Sequence, residues 1–413
     1  MGKALYEIGE LPPIGEVPPK MHAQLVRPDR YGEPEQAIQD EVIDVPELGP
    51  NDALVMVMAG GVNFNNVWAA RGKPVDVTKT QARWGEPTDF HIVGSDASGI
   101  VYAVGSDVTN VKVGDRVVVH AGQWDPDDPK VLAGGDPGLA ESFRVWGYDT
   151  CWGSFAQFCK VQAHQCLPKA EHLTWEEAAA PTLTGSTAYR MLFGWPPNTV
   201  QPGDVVLVWG GSGGLGSLAI QLVAHAGGRA VAVVSSQEKG EYCKTLGAVG
   251  YINRKDFTHW GVPPAWNSPE WKTWFDGAKA FGKAIWDVLG ERRSPQIVFE
   301  HPGQDTIPTS NFVCDRGGMI VICAGTTGFD TMIDVRYLWY MQKRYQGSHL
   351  FNDEQAAAFN KLVTDGIVKT TLGHVYPYTD SGNVHQLMGD GQLPEGNVSV
   401  LINAPGEGLK DLP

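Results

Sequence analysis

Residues 205–228 read VVLVWGGSGGLGSLAIQLVAHAGG. A run of β-type apolar residues leads into Gly211, Gly213 and Gly216 in G-x-G-x-x-G spacing, with Ser212, Gly214 and Leu215 between them, and a helical pattern follows. This is a strand, a tight turn and a helix start, the context that a dinucleotide-binding fingerprint requires. Glycine lets backbone N–H groups approach a pyrophosphate, and the helix N-terminus adds partial positive charge.

The next apolar run, AVAVVSS (230–236), ends where a site for a ribose 2′-hydroxyl carries Asp or Glu. Here the chain has Ser235, Ser236 and then Lys239. Two hydroxyl donors and a cation suit a 2′-phosphate. Arg254, in YINRKDF (251–257), offers a second charge. The expected cofactor is NADPH.

Around this centre, strand and helix patterns alternate from about 200 to 350: VVLVW, AVAVV, GYIN, QIVFE, GMIVICAG and YQGSHL. That alternation predicts a doubly wound parallel sheet. Residues 255–295 read as a long insertion that includes Trp260, Trp266, Trp271 and Trp274. Upstream, residues 90–120 alternate short strands with Gly turns, as a small β-barrel-like domain would. Residues 121–147, rich in Asp, Gly and Pro, read as a long loop, and the Pro-rich residues 1–20 as an extended arm. TWEEAAAPTLTGSTAYRML (174–192) reads as a helix opened by the capping box of Thr174 and Glu177. Residues 370–413 return to short strand patterns. The expected division is a β-rich domain over 1–190, a dinucleotide-binding domain over 191–369, and a return to the first domain over 370–413.

Composition narrows the function classes. The chain has 413 residues, 42% hydrophobic and 19% charged, which describes a globular protein with ample core. A formal charge of −15 speaks against nucleic acid as a partner. No apolar run approaches a membrane span, and the N-terminus lacks an apolar signal core. The six cysteines contain no C-x-x-C pair and read as reduced thiols of a cytoplasmic enzyme.

Gly94, Asp96, Gly99, Val101 and Gly105 match G-x-[ED]-x-x-G-x-V-x-x-x-G, and VKVGDRV follows at 111–117. With a β-rich first half and a Rossmann middle, the chain resembles the medium-chain dehydrogenase/reductase superfamily. The resemblance implies an α/β protein, with a β-rich GroES-like catalytic domain and a doubly wound Rossmann domain. Zinc members of that superfamily carry a Cys near position 63 and a His just before the motif acid. This chain has Asn63 and Ser95 there. His91, His120, His164 and His301 offer no pair with ligand spacing. The expectation is an enzyme without a metal, adding hydride to an already polarised C=C.

Six segments narrow the resemblance: GVNFNNVWAA (61–70), WGYDTCWGSFAQF (146–158), TWEEAAAPTLTGSTAYRML, VWGGSGGLGS, IVFEHPG (297–303) and RYLWYMQKRYQGSHL (336–350). Together they are similar to crotonyl-CoA carboxylase/reductases and to the related reductase domain of propionyl-CoA synthase. The resemblance implies NADPH-dependent reduction of a short-chain enoyl-CoA thioester, with capture of CO2 by the enolate to give an alkylmalonyl-CoA. Without CO2, proton capture gives the saturated acyl-CoA. The family's CO2 pocket falls on Asn65, Tyr148, Asp149 and His349. Asn65 would hold one CO2 oxygen, His349 and Asp149 would orient a water, and Tyr148 would shield the enolate. The family has Glu where this chain has Asp149. Arg336, Tyr337 and Arg344, with Lys343 beside them, supply the mix of cations and aromatics that a coenzyme A handle requires. A homo-oligomer, dimer or tetramer, is expected. The rival readings are a protonating enoyl-CoA reductase, a zinc-free quinone or enone reductase, and a catalytically silent NADPH-binding protein.

Overall fold

A computed structural model describes residues 2–412. The chain divides into two compact units. One is built from residues up to 186 and from 350 onward, the other from residues 187–349.

The first unit is organised by strand Asp52–Gly61, which is buried on both faces. Ala53, Val55 and Val57 enter one apolar cluster, while Leu54, Met56 and Met58 enter a second on the opposite face. That is the period-2 alternation of a strand between two layers. Ala97–Val104 and Phe158–Gln162 pair with it antiparallel. Asn397–Leu401, from the C-terminal segment, extends the same sheet. A smaller sheet joins Lys20–Val26 to Gln39–Asp44 and His91–Ile92. Residues 2–19 form no regular element and lie on this unit, with Tyr102 Oη donating to Pro12 O (2.8 Å) and Gln157 Nε2 donating to Tyr6 O (3.1 Å). Within 121–147, expected as a long loop, a two-stranded pair of Gly122–Gln123 and Arg144–Val145 brackets a one-turn helix, Pro129–Leu132, and a 3-10 turn, Pro137–Leu139.

The second unit holds six strands, numbered here β1 (Val205–Trp209), β2 (Arg229–Val234), β3 (Gly250–Asn253), β4 (Ile297–Glu300), β5 (Met319–Ile322) and β6 (Arg344–Gly347). They pair parallel in the order β3-β2-β1-β4-β5-β6. The order reverses between β1 and β4. Ligands of doubly wound sheets bind outside the carboxyl ends of the strands at such a point.

Four expectations need correction. The return to the first unit comes at 350, not 370, because helix Asp353–Thr364 packs there: Ala356 joins Leu350, Phe351 and Val145 in one cluster, and Asn360 Nδ2 donates to Pro168 O (2.9 Å). The single helix expected over 174–192 is two, Trp175–Ala179 and Thr182–Phe193, since Pro181 has no N–H to continue the first. The capping box at Thr174 and Glu177 is present. The tryptophan-bearing insertion contains the crossover helix between β3 and β4, Pro269–Leu289. Its buried positions, Trp274, Ala278, Phe281, Ile285 and Leu289, follow the helical period, and the last three join the core of the parallel sheet. The C-terminal segment, read as strands only, includes helix Ser381–Gly389.

Candidate active site

In the second unit, β1 ends at Trp209 and helix Gly214–His225 begins five residues later. Gly210 takes φ +60°, which turns the chain back over the sheet. A Cβ on Gly216 would stand 2.3 Å from Gly210 O and 2.8 Å from Gly211 Cα, so the turn closes only over glycine. A Cβ on Gly211 would meet Ala232 Cβ at 2.8 Å. Gly211, Ser212, Gly213, Gly214, Leu215 and Gly216 thus form a compact cradle at a helix N-terminus, the shape that a pyrophosphate fills.

Across from it, β2 runs into helix Gln237–Thr245, whose N-cap is Ser236. Ser236 Oγ accepts from Lys239 N at 3.3 Å, leaving its hydroxyl proton to donate outward. Ser235 and Lys239 are partly buried, and Arg254 is exposed just after β3. Neither Lys239 nor Arg254 forms an ion pair among the described residues. Two unpaired cations and two hydroxyls beside a helix N-terminus match a phosphate monoester. Lys239→Ala is expected to raise the NADPH KM by roughly ten- to a hundredfold, as a lost charge-assisted contact of about 1.5–3 kcal/mol implies, and to leave the NADH KM nearly unchanged. Initial rates with each cofactor check this; equal KM values for both in the unmodified protein would contradict it.

In the first unit, the NFNN segment is tied to the motif at 94–96. Asn63 Nδ2 donates to Asp96 Oδ2 (2.9 Å), and Leu183 N donates to Asp96 Oδ1 (2.7 Å). Asn65 Nδ2 donates to Ser95 Oγ (2.7 Å), and Gly94 N donates to Asn66 Oδ1 (3.1 Å). Asn66 Nδ2 lies 3.2 Å from His385 Nε2, while His385 Nδ1 lies 2.6 Å from Ser381 O. Burial pushes His385 down to about 4, so the ring is neutral, donating from Nδ1 and accepting at Nε2. Burial also pushes the Asp96 carboxyl well above the usual range, against the pull of its partners.

The positions at which zinc relatives place Cys and His are thus filled by an amide bonded to a buried acid and by a hydroxyl bonded to a second amide. Asn63 and Ser95 lack the N/S ligand character that zinc requires, so this pair does not fit the metal. Elsewhere in the unit, His120, His164 and Asp353 do converge, which spacing along the chain did not indicate. Asp353 Oδ1 lies 2.8 Å from His120 Nε2 and 2.9 Å from His164 Nδ1. Gly122 N donates to His120 Nδ1 (3.2 Å), and His164 Nε2 lies 2.9 Å from Gln162 Oε1. Burial alone would raise the Asp353 carboxyl; the two imidazoles outweigh it and hold the group well below the carboxylate range. These contacts fasten helix Asp353–Thr364 to the barrel, His120 Nε2 lying close to the carboxylate but outside hydrogen-bond geometry. Chelators are accordingly expected to leave turnover unchanged. Elemental analysis that finds stoichiometric zinc, with loss of rate on its removal, would contradict this.

The residues that the resemblance assigns to CO2 lie on separate segments. Tyr148 and Asp149 lie in a tight turn after Arg144–Val145. Val145 N donates to Asp149 Oδ2 (2.8 Å), so the shorter acid caps its own turn. Tyr148 packs against the cluster of Leu350 and Phe351, and burial, reinforced by the Asp149 charge, pushes its phenol up to about 12. Asn65 is partly buried, and its Oδ1 is buried without a partner among the described residues. His349 is exposed, two residues beyond β6, at the end of the second unit.

The expected coenzyme A residues do not form one cationic patch. Arg336 forks onto Asp334 (Nη2–Oδ2 2.7 Å, Nε–Oδ1 3.0 Å) and lies over the Trp266 ring at 5.0 Å. Tyr337 packs edge-on against Phe312 at 5.1 Å. Arg344 Nη1 donates to the carbonyls of Trp195 (3.3 Å) and Pro196 (3.1 Å), and buried Lys343 donates to Asn311 O (2.5 Å). Arg344 braces β6 against the 195–196 turn. Among these cations Arg336 alone is exposed.

Comparison with known proteins agrees with this geometry. Residues 49–171 match the alcohol dehydrogenase GroES-like domain family, and 214–365 the zinc-binding dehydrogenase family. The chain is 51% identical over 408 residues to the crotonyl-CoA carboxylase/reductase of Cereibacter sphaeroides, covering 99% of this chain and 94% of that protein. It is 39% identical over 394 residues to the crotonyl-CoA reductase of Streptomyces avermitilis, covering 92% and 85%. The structure of the crotonyl-CoA carboxylase/reductase AntE in complex with NADP superposes with a TM-score of 0.93 at 51% identity, covering 98% of this chain and all of that one. The 2-octenoyl-CoA carboxylase reductase CinF, in complex with NADP and 2-octenoyl-CoA, superposes with a TM-score of 0.87 at 35% identity, covering 96% and 90%. A Rossmann cradle, a GroES-like barrel with an amide and a hydroxyl where zinc ligands would stand, and half of all residues shared over nearly the full length lead to one conclusion: the chain belongs to the crotonyl-CoA carboxylase/reductase family of the medium-chain dehydrogenase/reductase superfamily.

Proposed function

We propose that this protein reduces a short-chain enoyl-CoA, of the crotonyl- or acrylyl-CoA type, and captures CO2 on the resulting enolate to give an alkylmalonyl-CoA. The observation that carries the reading is the Asn63–Asp96 hydrogen bond, with Asn65 two residues on, in a chain sharing half its residues with a carboxylating relative. A neutral polar wall stands where alcohol dehydrogenases activate an alcohol. A thioester-conjugated alkene is polarised already and needs no such activation.

NADPH, when bound, supplies the hydride. The glycine cradle holds its pyrophosphate, and Ser235, Ser236, Lys239 and Arg254 hold its 2′-phosphate. Asn65 holds one oxygen of CO2 through Nδ2. Tyr148 keeps bulk water from the enolate, and Asp149 and His349 orient a water toward the second CO2 oxygen. Arg336, with Tyr337 beside it, meets the coenzyme A phosphates.

A second reading, a reductase that protonates the enolate, is favoured by Asp149, since one of its oxygens is engaged in its own turn. The protein acts in the cytoplasm; among the described residues no helix is long and apolar enough to cross a membrane. It self-associates as a dimer or tetramer, for which Phe329, Trp339 and Tyr340, 67%, 67% and 63% exposed, supply apolar surface.

The experiment is NADPH oxidation with crotonyl-CoA, acrylyl-CoA and a quinone, with and without bicarbonate plus carbonic anhydrase. Turnover of the thioesters and not the quinone is expected. Preference for the quinone would overturn the reading.

A further inference from the structure

Glu300 is the last residue of β4, at the carboxyl end of the sheet beside the reversal of strand order, and it is 0% exposed. The reaction as described gives it no part. A buried carboxylate is costly unless hydrogen bonds satisfy it, and this one is held on both oxygens. Ser310 Oγ donates to Oε1 (2.5 Å) and Thr306 Oγ1 donates to Oε2 (2.9 Å). Trp209 Nε1, at the end of β1, donates to the same Ser310 Oγ (2.9 Å). The carboxylate therefore joins the last residue of β1, from which the glycine cradle springs, to the loop 301–306 that leaves β4.

That loop is built to a fixed shape. His301 O accepts from Thr326 N (3.2 Å), Pro302 O accepts from Thr327 N (2.9 Å), and Gly328 O accepts from Gln304 N (3.2 Å). The loops after β4 and β5 thus continue the parallel ladder beyond the sheet, with a bridge between Gly303 and Gly328. The His301 ring lies against the cradle: a Cβ on Gly210 would stand 2.3 Å from its Nε2. Both walls of the crevice at the carboxyl ends of β1 and β4 converge on one acid.

We propose that Glu300 is a positioning residue for the dinucleotide, setting the 301–306 loop and the Gly210 turn at the distance that the nicotinamide half of the cofactor requires. The inference rests on the NADPH reading above. Burial pushes Glu300 up to about 7 against the pull of Ser310 and Thr306. The titratable groups facing it are His301, pushed down to about 4, Cys323, pushed up to about 12, and Tyr345, pushed higher still, so Glu300 alone among them changes charge between pH 6 and 8. Ionised, it accepts from both hydroxyls. Protonated, one oxygen becomes a donor, and the hydroxyl that faces it must reverse from donor to acceptor and turn its own proton elsewhere.

The test compares the wild type, Glu300→Gln and Thr306→Val as full chains. NADPH affinity is measured by fluorescence titration from pH 6 to 8, and amide hydrogen exchange of residues 301–306 without cofactor. The expected result is NADPH binding at least tenfold weaker in Glu300→Gln at pH 8, roughly threefold weaker in Thr306→Val, and exchange at 301–306 at least tenfold faster while β1 and β2 stay protected. The wild type should bind more tightly at pH 8 than at pH 6, beyond the change seen in Glu300→Gln, which shares only the titration of the cofactor's own phosphate. Should Glu300→Gln fail to fold, Thr306→Val decides. A wild type that binds NADPH, with variants that bind and exchange as it does, would overturn this inference alone. A wild type that does not bind NADPH would overturn the cofactor reading beneath it.

Discussion

Asn65→Leu is expected to leave NADPH oxidation within a few fold of the wild type while turning the main product from the alkylmalonyl-CoA to the saturated acyl-CoA. Reduction depends on the bound dinucleotide and the polarised alkene. Carboxylation depends in addition on an electrophile already held beside a short-lived enolate, so that capture outruns protonation. Leucine keeps the branching and heavy-atom count of asparagine, in a somewhat larger volume, and removes both amide hydrogens. It also strands the Ser95 hydroxyl, which accepts from Asn65 Nδ2 in the native site, at about 1–3 kcal/mol of stability. Ser95→Ala removes the same bond from the other side and serves as the control. It should lower stability with a far smaller change in product. The check is the ratio of the two thioesters by mass under saturating CO2. An unchanged ratio in Asn65→Leu would contradict the role given to the amide.

Gly216→Ala should lower NADPH affinity by roughly a hundredfold or more. The added methyl would fall 2.3 Å from Gly210 O and 2.8 Å from Gly211 Cα, both backbone atoms with no side-chain freedom to yield. Opening the turn to admit it costs about 1–3 kcal/mol in overpacking alone, and the opened turn no longer presents its N–H groups to one pyrophosphate. The first unit has its own core and is unaffected. The expected signature is a folded protein with lost fluorescence transfer from NADPH. Unaltered binding in Gly216→Ala would show that the cofactor does not use this turn.

How much of this was legible in the sequence follows from the range of the interactions. The parallel strands were readable because strands buried on both faces are continuous apolar runs, and VVLVW and AVAVV lie close to where β1 and β2 are found. The glycine turn was readable because its constraint is local. The helix Pro269–Leu289 is marked in the sequence by Ser268 as cap, Pro269 at the first turn and the apolar stripe from Trp274 to Leu289, a signal that the density of tryptophans in the segment masks. Pro181 likewise marked the break in the helix expected over 174–192.

Contacts across the chain left no such trace. Asn63 and Asn65 could be named from the NFNN motif, but their partners Asp96 and Ser95 come from a different strand end. His120, His164 and Asp353 meet only because Cys166–Pro168 pairs with Arg116–Val119 and helix Asp353–Thr364 docks beside them. Arg344 and Lys343 carried the right charge for a phosphate, yet backbone carbonyls take their donors. Glu300 lay within FEHPG, and nothing about that motif indicated that its acid would be buried against Ser310 and Thr306.

The most direct test of the account is the product of the wild-type protein turning over crotonyl-CoA and NADPH with isotopically labelled bicarbonate and carbonic anhydrase, read by mass. The account predicts one labelled carboxyl group in most of the product at saturating CO2, with the saturated thioester rising as CO2 is withdrawn. Unlabelled butyryl-CoA as the sole product at saturating CO2 would contradict it and leave the protonating reductase as the function of this chain.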